Sequence, residues 1–136
     1  MVTGAPLFEW VAGAVKDRLT GRVFVAHNAR FDWAFVSDEL LHAAVDVPEL
    51  ERICTARLGR LLVPGLRRHG LDSLARHFGI PIWNRHRALG DALATARLLV
   101  HLLGAAEDRG IHDFPALREA LVRRRRNLPR GGQGRR

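Results

Sequence analysis

Residues 22–36, RVFVAHNARFDWAFV, constrain this chain more than any other stretch. Val23-Phe24-Val25-Ala26 is continuously apolar, as a short strand buried on both faces of a sheet would be, and such a strand is expected to be central. A polar turn follows, and Phe31, Ala34, Phe35, Leu40 and Leu41 then mark a helix to about Ala44. In an α/β fold, ligands bind at the C-terminal edge of the strands, where loops diverge while the sheet holds them. Function is therefore to be sought at His27, Asn28 and Asp32.

A second polar cluster, His86-Arg87-Ala88-Leu89-Gly90-Asp91-Ala92, opens the longest helix, expected over residues 87–103. Leu89, Leu93, Ala96, Leu98, Leu99 and Val100 surround Asp91 on almost every side, so substantial burial is expected there. An unpaired buried carboxylate costs several kcal/mol, roughly, and needs a partner, for which a metal ion would serve. Asp32 follows His27 by five residues, and Asp91 follows His86 by the same interval.

The 136 residues, 47% hydrophobic, are one domain's worth of material. The net charge of +8 points toward a polyanionic partner, but eight arginines against one acid give residues 118–136 alone +7. The body is nearly neutral. One cysteine, Cys54, and no signal-like leader lead us to expect a reducing, cytoplasmic setting. The most apolar run, residues 98–103, is far below the roughly 20 residues that span a bilayer, so no membrane segment is expected.

Further helices are expected over residues 6–19, from Thr55 as N-cap through Leu62, from Leu71 to a stop at Gly79, and from Phe114 to about Arg124. Arg52-Ile53-Cys54 reads as a strand and residues 80–85 as irregular. Residues 128–136 read as a basic, disordered, low-complexity tail. Cys54 is expected to be small core, His42, His69, His77, His101 and His112 to have no catalytic role, and Trp10 and Trp33 to pack. Trp83, in the lead-in to His86, is a candidate substrate contact.

VAHNARFD resembles the second motif, and HRALGDA the third, of the DEDDh branch of the DnaQ-like 3'-to-5' exonucleases, which includes the proofreading epsilon subunit of bacterial DNA polymerase III. The intervening CTARLGRLLVPGLRRHGLDSLARHFGI is similar in spacing, so the likeness spans residues 6–103. It implies an α/β, ribonuclease H-like exonuclease fold and hydrolysis of phosphodiesters by two Mg²⁺ or Mn²⁺ ions about 3.5–4 Å apart, held by carboxylates. By this resemblance Asp32 and Asp91 would be metal ligands and His86 the general base, a task suited to an imidazole because it titrates near neutrality. His27, Asn28 and Phe31 would contact substrate, with Asn28 fixing the turn and Phe31 packing under the site. The implied partners are a single-stranded 3' end of DNA, or of RNA since the motifs do not read the sugar, and a DNA polymerase or fused domain.

The family's first motif, Asp-x-Glu on the opening strand, has no counterpart here; Glu9 and Asp17 fall on the first expected helix. The resemblance therefore implies a sheet lacking its first three strands, an incomplete metal pair and impaired activity. Residues 1–112 would be a partial exonuclease domain and 113–127 a C-terminal helix. A catalytically inactive homologue that binds nucleic acid or a polymerase partner is the alternative.

Overall fold

The computed structural model describes residues 4–127, so the expected tail at 128–136 lies outside the described residues. Six helices and two strands follow in the order α1 (Phe8–Leu19), β1 (Phe24–Ala26), α2 (Ala29–His42), β2 (Arg52–Cys54), α3 (Thr55–Leu62), α4 (Leu71–His77), α5 (Ala88–Glu107) and α6 (Phe114–Asn127). The strands are parallel, with Phe24, Val25 and Ala26 opposite Arg52, Ile53 and Cys54. No further strand exists among the described residues, so β1, expected to be central, is only half-buried and has one edge unpaired.

Leu58 and Leu62 of α3, Leu71 and Leu74 of α4, and Leu98 and Leu102 of α5 form the core with Ile53 of β2 and Leu117 of α6. Ala12 of α1 and Leu40 of α2 are buried as well. Arg109, beyond α5, donates to the carbonyls of Leu61 and Leu62, each at 2.8 Å, and so satisfies the C-terminal end of α3. Thr55 is the first residue of α3 rather than its cap; Cys54 takes the cap position and the Thr55 hydroxyl is turned toward His27.

Helix α5 is longer than expected and buried on one face only. Ala94, Leu98, Leu102 and Ala106 face the core, whereas Leu89, Leu93, Val100 and Leu103 are 72%, 49%, 70% and 38% exposed. At 100° per residue the exposed four fall in one stripe opposite the buried four. The expectation that apolar residues all around Asp91 meant all-round burial is thus corrected: the second face has no cover among the described residues. This double apolarity also makes α5, at 20 residues and mean hydropathy 1.3, long and apolar enough by length and composition to cross a membrane, contrary to the reading of residues 98–103 alone. One of its two apolar faces packs on α3 and α4.

Gly90, in the first turn of α5, accepts the preceding turn at very close range. A Cβ there would collide with the Trp83 carbonyl oxygen and lie 2.8 Å from that of Asn84. That turn holds Asn84 at φ 52° and His86 at φ 69°, left-handed conformations that a packed turn must enforce.

Two outcomes follow for purified protein. Gly90→Ala should cost about 1–3 kcal/mol by overpacking and lower Tm by several degrees. Gly104→Ala, in the same helix with open space around its Cβ position, should instead stabilise by up to about 1 kcal/mol. The chain should self-associate in sedimentation experiments, and Leu93→Glu with Val100→Glu should shift it toward monomer, because both changes fall on the exposed stripe.

Candidate active site

The polar turn after β1 brings His27 and Asn28 to the C-terminal edge of the two strands and starts α2. Asn28 adopts φ 73°, a left-handed conformation that asparagine tolerates better than most residues, and this bend lets the chain pass from strand to helix without a longer loop. Asp32 then lies half-buried in the first helical turn, at the end where the helix dipole favours a negative charge. Phe31, expected to pack under the site, is 66% exposed and meets Phe35 edge to face, so its ring is presented to solvent.

His27 points inward. Its Nδ1 lies 2.9 Å from the hydroxyl of buried Thr55 and its Nε2 lies 3.0 Å from the carbonyl of His69. A carbonyl only accepts, so Nε2 carries the proton and Nδ1 accepts from Thr55, which assigns the neutral tautomer. Both ring nitrogens are used within the protein, and the expected substrate contact from His27 is replaced by a bracing role between β1, α3 and the loop before α4. His69 in turn donates from Nε2 to the Val63 carbonyl at 2.8 Å.

Around the second polar cluster the structure supplies a partner that the sequence did not identify. Arg85 forks onto Asp72 of α4, at 2.7 and 3.2 Å, and reaches Asp91 of α5 at 2.7 Å. Asp91 also receives a long contact, 3.4 Å, from the His86 backbone N–H, which ties the turn to the start of α5. The guanidinium hydrogen-bonded to Asp72 holds that carboxyl below its ordinary range, and the two carboxylates raise the Arg85 pKa. His86 and Trp83 are exposed on the turn. The signal for Arg85 lay in its position six residues before Asp91, but its second carboxylate comes from another helix.

Asp32, Arg85 and Arg60 all act electrostatically on His27. Burial is the largest cause lowering the His27 pKa; Arg60 and Arg85 lower it further, while the His69 hydrogen bond and Asp32 oppose them. No group of three or more His, Cys, Asp or Glu side chains among the described residues is placed to share a metal ion. With Asp91 already bound by Arg85 at 2.7 Å, the donors present do not fit a two-ion centre by themselves.

Because the His27 pKa is depressed below 6.5 in the folded state, the unfolded chain takes up the proton first as pH falls. Stability should be greatest above pH 6.5 and decline as the pH falls from there through the folded-state pKa. Melts across this window should show the decline, and His27→Gln should flatten it while lowering Tm above it.

The family model RNase_T, described as an exonuclease, matches residues 1–99. The chain is 31% identical over 121 residues to the PolC-type DNA polymerase III of Staphylococcus saprophyticus, covering 89% of this chain and 8% of that protein. It is 34% identical over 124 residues to the PolC-type enzyme of Caldanaerobacter subterraneus, covering 91% and 9%, and 35% identical over 125 residues to that of Clostridium perfringens, covering 90% and 8%. It thus spans less than a tenth of the length of these relatives. No solved structure matches. With the family model covering residues 1–99, the chain belongs to the exonuclease family.

Proposed function

We propose that this chain carries part of a 3'-to-5' exonuclease site that acts on DNA in a replication or repair setting, in the cytoplasm and beside a polymerase. The observation that carries the reading is the exonuclease family match over residues 1–99, together with Asp32 in the first turn of α2, just after β1, and the Arg85–Asp91 pair at the start of α5. In this reading Asp32 and Asp91 are acidic ligands for Mg²⁺ or Mn²⁺, and such ions supply the charge stabilisation that phosphodiester hydrolysis needs. His86 takes a proton from the attacking water, and its exposed position on the lead-in turn leaves the ring free to do so. Asn28 and Phe31 meet the terminal nucleotide.

Two carboxylates, one of them held by Arg85, do not make a two-ion centre, so in this reading the site is completed by a strand carrying Asp-x-Glu. The unpaired edge of β1 and the exposed stripe of α5 support such a completion, since a neighbouring strand would use the first and a larger sheet would cover the second. The PolC-type relatives carry the matching segment within much longer proteins, which agrees with that view.

The paired Arg85–Asp91 geometry also favours a second reading, in which the chain binds nucleic acid or a polymerase partner without hydrolysing anything. RNA as substrate is the third. Purified protein, a 3'-labelled oligodeoxynucleotide and Mn²⁺ decide among them. Under the exonuclease reading mononucleotides leave slowly from the 3' end; Asp32→Asn or Asp91→Asn stops this, and His86→Ala slows it by about 10² or more. Joining a segment with Asp-x-Glu ahead of the chain should raise the rate. A chain so extended that still releases nothing would support the binding reading, and preference for an oligoribonucleotide would support RNA.

A further inference from the structure

Beyond the candidate site, a groove of about 890 Å³ runs from the Asn28–Phe31 turn, past the end of β2 and the outer face of α3, to α6. Five arginines line it: Arg30, Arg52, Arg57, Arg60 and Arg118. Glu51 is its one acidic lining residue, and it is already bound to Arg118 at 2.8 Å. Arg52 lies over the Trp33 ring, 5.8 Å from its centre. Arg57 and Arg60 are exposed and have no carboxylate partner among the described residues.

Leu117, Leu121 and Val122 of α6 form an apolar floor along which arginine stems can lie. At the mouth nearest the candidate site stands the exposed ring of Phe31, one residue from Asp32. Arg60 serves both places, since it lines the groove and its charge reaches His27. Past Arg118 the last turn of α6 adds Arg124, Arg125 and Arg126.

We propose that this groove is the track for the single-stranded nucleic acid whose 3' end lies at Asp32, with Arg30, Arg57, Arg60 and Arg118 meeting successive phosphates and Phe31 stacking on a base. The inference rests on the exonuclease reading for the placement of that end. A strand entering at Asp32 has the Phe31 mouth as its neighbour, and an uncompensated row of planar guanidinium groups suits a chain of phosphates. An acidic amphipathic peptide would also match the charge, but it would not account for the continuity between the groove and the motif turn.

The test is fluorescence anisotropy of a labelled oligothymidylate with the full chain, in EDTA so that nothing is hydrolysed, at several salt concentrations. Arg57→Glu with Arg60→Glu should weaken binding more than tenfold at low salt. The slope of log affinity against log salt should become shallower by about 0.7 for each phosphate that is no longer neutralised. Arg57→Gln with Arg60→Gln, which introduces no new charge, should weaken binding in the same direction by less. Arg18→Glu with Arg97→Glu, the same charge change on α1 and α5 away from the groove, should leave affinity within about twofold of the parent after the general charge effect.

Groove variants that bind as tightly as the Arg18 and Arg97 variant would overturn the proposal, whatever the chain's nuclease activity. So would a labelled oligoglutamate peptide that binds in the groove while the oligothymidylate does not respond to the substitutions. If oligothymidylate binding depends on Arg57 and Arg60 but no 3' end is ever digested, the track stands as a binding site and the hydrolytic reading fails.

Discussion

The burial of Leu98 and Leu102 against Leu58, Leu62 and Leu74 is the interaction on which the other features depend. Four of these leucines, Leu58, Leu74, Leu98 and Leu102, are completely enclosed, and each such side chain contributes about 1.5–3 kcal/mol relative to exposure. Gly59 permits the close fit of α3 on α4, since a Cβ there would lie 2.6 Å from a methyl of Leu74. With α5 seated in this way, its first turn stands beside α4, within reach of Arg85 and the His86 turn. The site therefore inherits its geometry from an aliphatic core several turns away.

On that frame one guanidinium is shared by two carboxylates, since Arg85 bridges Asp72 and Asp91 from different helices. His27 is held toward the neutral form chiefly by burial, with Arg60 and Arg85 adding to it, while Thr55 and His69 fix its ring. A cation coming to Asp91 competes with a guanidinium already 2.7 Å away. Such competition makes the carboxylate a weaker ligand than its sequence motif suggests, unless further negative charge arrives to outweigh Arg85.

Elsewhere the two faces of the molecule differ in kind. The outer stripe of α5 is apolar, whereas the groove beside α3 and α6 is lined by five arginines.

Much was legible from local sequence because the signals are local. Apolar runs and turn residues placed β1, β2, α3 and α4 to within one or two residues. What periodicity could not reveal was which of α5's two apolar faces is covered: Leu93 and Leu98 are alike as letters, and only the position of α3 and α4 separates them. The same limit applied to His27, whose partners Thr55 and His69 are 28 and 42 residues away, and to Arg85, which finds Asp72 across the α4–α5 turn. The sequence by itself determined the α/β class and the family likeness. Only the tertiary structure decided that His27 braces the fold, that Arg85 links Asp72 to Asp91 and that five arginines share one groove, because those outcomes depend on long-range contacts that no local pattern encodes.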